Sequence, residues 1–311
     1  MSATIFKKIL VPVDGSTSSI NAEELAALMA KKLGSEVTVI HVIAHEFKSP
    51  KLQRFSPETP EFVYGDARPQ AISWVHVHPP PSITIPETTL NEISNWYIQR
   101  GKEIITEAQA LFKEKGVSVD QKLIEYADPA EAVIREAQEG NYALIIIGQS
   151  EEEKQEPHLG SVAKKVLFYA PTPVLIARNK GRISKILAPI DGSANAEKAL
   201  QYAVYLAEKT RAAMTLLYVQ ESSLFKLKPE VTRDIGNRIL SNAAERIKRI
   251  KLDQKLESGD PAKVIVQTAN NGNYDLIAMG SRGLGVVERF LLGSVSDHVA
   301  HYADRSVLII K

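Results

Sequence analysis

The chain has 311 residues, enough for about two domains at a prior of roughly 150 residues each, and its 44% hydrophobic and 24% charged content is that of an ordinary globule. Lys plus Arg (38) nearly cancels Asp plus Glu (37), so no overall field captures a polyanion and nucleic acid is set aside as a partner. With no cysteine, disulfide scaffolds, thiolate zinc sites, iron–sulfur clusters and cysteine nucleophiles are excluded. No apolar run approaches the ~20 residues that cross a bilayer, and Met1 to Phe6 lacks the apolar core of a signal peptide. The expectation is a cytoplasmic protein without membrane contact.

In chain order, short β-branched runs predict strands at Ile9 to Val13 and Val37 to Val42. From about His45 to Leu90 the character changes: eight of the sixteen prolines fall here, and proline neither donates to a ladder nor continues a helix. This insertion is expected to be a long loop or lid, with a hairpin from Glu61 to Tyr64 and Ile72 to His78 across Gly65-Asp66, and Trp74 and Trp96 as its anchors. Asp128-Pro129 then reads as a helix N-cap followed by proline at the first helical position, and Leu144 to Ile147 and Val174 to Ala177 as further strands. Arg178 to Arg182 marks a boundary of five residues, which span at most ~18 Å, so the units 1–180 and 181–311 must touch. Beyond it, strands are predicted at Ile186 to Ile190, Met214 to Val219, Leu276 to Met279 and Val307 to Ile310. Ala196, Ala199, Leu200, Ala203 and Ala207 form a helical stripe, and Asp260-Pro261 is a second capped helix start.

The second set repeats the first. Lys8-Ile9-Leu10-Val11-Pro12-Val13-Asp14-Gly15-Ser16 returns as Lys185-Ile186-Leu187-Ala188-Pro189-Ile190-Asp191-Gly192-Ser193. Asp120-Gln121-Lys122-Leu123 returns as Asp253-Gln254-Lys255-Leu256, and Gly140-Asn141-Tyr142 as Gly272-Asn273-Tyr274. Asp14 and Asp191 stand 177 residues apart but Gly148 and Gly280 only 132, so the first copy carries about 45 extra residues. Apolar strands alternating with helices argue for parallel sheets covered on both faces, hence two tandem α/β domains.

After the fourth strand of the second copy comes Gly280-x2-Gly283-x9-Gly293-Ser294, leading into an apolar-periodic helix. Glycines let backbone N–H groups approach an anion closely, and a helix N-terminus at the carboxyl edge of a parallel sheet is where α/β domains hold phosphates. Ser294 is expected as the N-cap, with Ser294-x-x-Asp297 a capping-box variant. Ser294, Asp297 and His298 lie too close along one helix to build a catalytic triad. Gly283-x-Gly285 lacks the third glycine of a dinucleotide fingerprint, and no P-loop motif is present.

With this loop and with Asp191 in an Ile-Asp-Gly-Ser context, the sequence resembles a tandem universal stress protein over both halves apart from the insertion. The resemblance implies two doubly wound, Rossmann-like domains, each a five-stranded parallel sheet. It further implies an intramolecular pseudo-dimer through the last strands, leaving a further homodimer open. By position it implies a site for ATP, or for AMP or ADP. Asp191 would contact the adenosine, Pro189 and the backbone at Val219 would line the base, and Met279 and Gly280 would flank the ribose. Gly283, Gly293, Ser294 and Val295 would hold phosphates, with Arg282 and Arg289 as nearby cations and Mg or Mn accompanying the nucleotide.

The first copy keeps Asp14, Gly148 and Gly160-Ser161, but Glu151 replaces the second glycine and the loop is one residue short. Glu151, Glu152, Glu153 and Glu156 against Lys154 sum to −3, whereas Arg282 and Arg289 against Glu288 sum to +1. A like charge at ~4 Å costs ~1 kcal/mol even in water, so one strong nucleotide site is expected, in the second half. His76-x-His78 beside the acidic run is weighed as a metal site and read as surface, and no metal site or catalytic residue is assigned. The functional expectation is a nucleotide-dependent stress-response regulator, not an enzyme. A slow ATP hydrolase using the same loop and a ligand-free scaffold are the alternatives.

Overall fold

Each apolar run picked out above becomes a strand within two residues of its expected ends in the structure, a computed structural model that describes residues 5–44, 87–149, 159–178, 181–221, 229–283 and 292–311. The first half runs β1 (Lys8–Pro12), α1 (Thr17–Leu33), β2 (Glu36–Ala44), α2 (Glu87–Glu114), β3 (Val119–Ala127), α3 (Pro129–Glu139), β4 (Leu144–Gly148), α4 (Ser161–Tyr169) and β5 (Val174–Ala177). The second runs β6 (Lys185–Pro189), α5 (Ala194–Thr210), β7 (Ala213–Gln220), α6 (Pro229–Ala244), β8 (Leu252–Ser258), α7 (Pro261–Asn271), β9 (Leu276–Gly280), α8 (Ser294–Tyr302) and β10 (Ser306–Ile310). The expected hairpin, Trp74, His76 and His78 lie outside the described residues. Glu87–Leu90, assigned to the insertion from sequence, already belongs to α2. Trp96 is no buried anchor: it lies on α2, 62% exposed, its ring edge-on to Tyr97 at 4.9 Å.

All strands join one sheet in the order β3-β2-β1-β4-β5-β10-β9-β6-β7-β8. Pairing is parallel within each half and antiparallel only between β5 and β10, where Leu308 lies opposite Leu175. The strand order reverses between β1 and β4 and again between β6 and β9, which opens a crevice at the carboxyl ends of those strands. Alternate side chains feed two cores. Ile9, Val11, Leu144 and Ile146 pack with α1 and α2, whereas Leu10, Ile145 and Ile147 pack with α3 and α4. Phe6 of the first half is fully buried and meets Tyr202 of α5 edge-on at 5.3 Å, so the halves share core as well as sheet.

The repeated motifs have local physical causes. Asp128 and Asp260 cap α3 and α7 by accepting from Glu131 N (3.0 Å) and Lys263 N (2.9 Å). In Gly-Asn-Tyr, the Tyr ring folds back so close that a Cβ on Gly140 or Gly272 would stand 2.2 or 2.3 Å from it, and Asn141 and Asn273 adopt φ of 52° and 49°. The ammonium of Lys8 or Lys185 then sits 4.3 Å over the Tyr142 or Tyr274 ring. Among the described residues no helix is long and apolar enough to cross a membrane.

The β5–β10 seam is dry: Val174, Leu175, Ile176, Val307, Leu308 and Ile309 are all fully buried. Leu308→Ala should therefore cost about 2–5 kcal/mol by loss of transfer energy and creation of a cavity. Urea unfolding checks this, and a loss under 1 kcal/mol would show that the seam is not a packed core.

Candidate functional site

At the carboxyl ends of β6, β7 and β9, the second half opens a cavity of about 360 Å³ lined by Pro189, Asp191, Val219, Met279, Gly280, Arg282, Gly283, Gly293, Ser294 and Val295. All ten residues named from the sequence thus converge on one space, though they come from four separate stretches of chain. Arg289 lies outside the described residues.

The turn after β6 fixes Asp191. Its Oδ1 accepts from Ser193 N at 2.9 Å, Gly192 takes φ of 81°, and Ser193 Oγ in turn accepts from Ala196 N at 3.1 Å as the N-cap of α5. The other carboxylate oxygen faces the loop. A Cβ on Gly283 would stand 2.6 Å from Asp191 Oδ2, so glycine lets the loop backbone pass this close without displacing the carboxylate. Gly280 is held by the same logic, since a Cβ there would meet the Asn195 backbone at 2.8 Å.

At the entry to α8 the structure corrects the sequence reading. Gly293 is the N-cap, extended at φ −69° and ψ 151°, and Ser294 is already the first helical residue, with no side chain capping the helix. Ser296 ties the helix start instead: its Oγ donates to Ser281 O at 2.8 Å, and Gly293 N donates to the same carbonyl at 2.8 Å. The capping box does not form: with Gly293 as N-cap, Asp297 falls at the fourth helical position, and His301 Nδ1 meets the Asp297 carbonyl at 2.8 Å. Among the described residues no side chain caps the first turn of α8 at the cavity wall, which suits an anionic ligand.

Sequence reasoning missed Tyr218, Gln220, Thr232, Pro261, Ile265 and Ser296, which also line the cavity. Thr232 comes from α6 and bonds to Gln220, a contact between distant residues that no local motif signals. Ser296 carried a usable sign, a polar residue on the buried face of an amphipathic helix. Burial raises the Tyr218 hydroxyl above its ordinary value of 10.0, and the Asp191 carboxylate adds to the shift.

The first half forms an equivalent cavity of about 380 Å³, lined among others by Pro12, Asp14, Val42, Gly148, Gly160 and Ser161. Its turn is the same: Asp14 Oδ1 accepts from Ser16 N at 3.0 Å and Ser16 Oγ from Ser19 N at 3.1 Å. Behind it lies a buried carboxyl, Glu23, which accepts from Ser19 Oγ at 2.9 Å and is raised above its ordinary range by burial. The glutamates from Glu151 to Glu156 lie outside the described residues.

The universal stress protein family model matches the chain twice, over residues 5–178 and 182–311. The chain belongs to the universal stress protein family. Universal stress protein Slr1230 of Synechocystis is 23% identical over 310 residues, covering 98% of this chain and all of that protein. Universal stress protein YxiE of Bacillus subtilis is 32% identical over 147 residues, covering 41% of this chain and 99% of its own length. A solved universal stress protein from Archaeoglobus fulgidus superposes with a TM-score of 0.68 at 22% identity, covering 99% of both chains.

In this universal stress protein the far ends of the loop helices are held across the seam. Arg178, just past β5, sends Nη2 to Ala300 O near the end of α8 and Nη1 to Arg305 O at 3.2 Å, while its Nε reaches Gln149 Oε1 at 2.7 Å. Lys311, just past β10, donates to Leu167 O and Phe168 O at the end of α4. Each helix C-terminus, with its orphan carbonyls and partial negative charge, thus receives a cation from the other half. Burial lowers Arg178 to about 10, against a small opposing pull from Asp304. Burial and then the like charge of Arg282 lower Lys311 from 10.5 to about 8.

Lys311 should therefore titrate near pH 8 by NMR of its ε-carbon, and Arg282→Gln should move the midpoint upward. Because the folded value lies below the ordinary 10.5, the folded state binds fewer protons between about 8 and 10.5. Stability should rise with pH across that window, and Lys311→Met should flatten the rise. An unchanged midpoint in Arg282→Gln would mean that the two cations do not sense each other.

Proposed function

We propose that this universal stress protein binds an adenine nucleotide, ATP or its mono- and diphosphate relatives, in the second-half cavity and acts as a nucleotide-dependent regulator rather than as an enzyme. One observation carries the reading: the backbone at Gly283 runs so close to the Asp191 carboxylate that a side chain there would have to displace it, which brings the loop backbone to the mouth of a 360 Å³ cavity of nucleotide dimensions. The base end is walled by Pro189, Val219 and Ile265, while Arg282 and the uncapped start of α8 stand at the other end. Such a cradle suits a polyphosphate.

Among the described residues no three His, Asp or Glu gather as metal ligands. A magnesium or manganese ion would therefore enter with the phosphates, neutralising them where Arg282 alone does not. The proposed role is binding, with turnover at most slow. The first half keeps its Asp14 turn, but its sequence has Glu151 at the position that corresponds to Gly283, and this argues against a second triphosphate there.

Calorimetric titration of the full chain with ATP and magnesium should give one site. Asp191→Ala should weaken it about tenfold or more, by loss of a charge-assisted contact. Gly283→Glu should abolish it, whereas Asp14→Ala should change it little. Two equivalent sites, or full affinity in Gly283→Glu, would overturn the proposal.

A further inference from the structure

The loop helix of the second half is fixed at both ends by groups of different origin. Its start is tied within the half, through Ser296 Oγ and Gly293 N to Ser281 O. Its end is tied by the other half, through Arg178 to Ala300 O. Val299 O is already taken by Ala303 N at 3.1 Å, so Ala300 O is among the last-turn carbonyls that α8 cannot satisfy by itself. Arg178 backbone N also donates to Ser306 Oγ at 3.1 Å, which locks the residue to the strand that follows α8. The helix has nine residues, about 13 Å at 1.5 Å per residue, so a shift at one end appears as a tilt at the other.

The seam repeats the device in the opposite sense. Val166 O is taken by Ala170 N, and the next two carbonyls of α4, Leu167 O and Phe168 O, go to Lys311. The two clamps differ at their outer side. Arg178 is held by Gln149, which lines the first-half cavity, whereas the residue in the equivalent place, Ser281, is short and its buried Oγ has no partner among the described residues.

From this reciprocal arrangement we infer that Arg178, a residue of the first half outside the second-half cavity, is a positioning residue for that cavity's phosphate end, setting the orientation of α8 from its C-terminus. For the nucleotide the inference rests on the reading of the site given above; for the helix it stands alone. The clamp acts on Gly293, Ser294 and Val295, not on the base end, so it affects phosphate and leaves the nucleoside alone. A lysine already does the same work at the dyad-related place, which predicts that Arg178→Lys preserves the clamp.

The test uses the full chain. In Arg178→Met, ATP affinity should fall about fivefold or more, the low end of couplings between distinct sites, while adenosine affinity stays within about twofold. Hydrogen exchange at Asp297, His298 and Val299, the first hydrogen-bonded amides of α8, measured without ligand, should quicken in Arg178→Met and return to the wild-type rate in Arg178→Lys. Lys311→Met should instead quicken α4, at Lys164 to Val166, and spare α8. Unchanged exchange in α8, equal losses of ATP and adenosine, or no recovery in Arg178→Lys would overturn the inference. Should Arg178→Met fail to fold, the Lys311→Met pattern decides: exchange confined to its own half would refute the crossed clamps. A wild-type chain that binds no ATP would end the nucleotide reading while the exchange measurements still judge the clamp.

Discussion

Antiparallel pairing of β5 with β10 is the constraint on which the rest of the molecule depends. Two equivalent strands that pair head to tail relate their halves by a local dyad, and this pairing turns two five-stranded sheets into one of ten strands. It also delivers the residue after each strand to the helix that precedes the other strand. Arg178 and Lys311 reach their opposite helices for that reason, and neither contact could form within a single half. The seam strands are apolar on both faces because helices cover them on both sides, as expected for the centre of a large sheet rather than an edge.

Much of this was legible in the sequence because repetition and composition report burial. Runs such as Leu144 to Ile147 and Val307 to Ile310 have no polar residue to place and so can only be central strands. The third strand of each half was not found by the same reasoning. β3 and β8 have no buried residue, contain Asp, Gln and Lys, and present no apolar run. Parallel pairing with β2 and β7 makes them strands, a tertiary cause that no local pattern records.

The site shows the same division. Asp191, the glycines and the start of α8 were readable because each answers a backbone demand: a tight turn, a close approach, a helix entry. The N-cap was misplaced by one residue because serine is the better cap by propensity, whereas here Gly293 is held by Ser281 O and needs no side chain. Arg178 carried no signal at all. An arginine in a short charged linker looks solvated until the dyad brings it against Ala300, and its burial is decided by the half that follows it in the chain.

The outer flanks of the sheet have a consequence of their own. Both outermost strands carry the same tetrad, Asp-Gln-Lys-Leu, with Asp120, Lys122 and Asp253 exposed and Lys255 half-buried. Open strand borders invite lateral growth into ribbons, and charges on a border oppose it. The duplication thus seals its sticky strands inward and turns guarded margins outward, which opposes lengthening of the sheet.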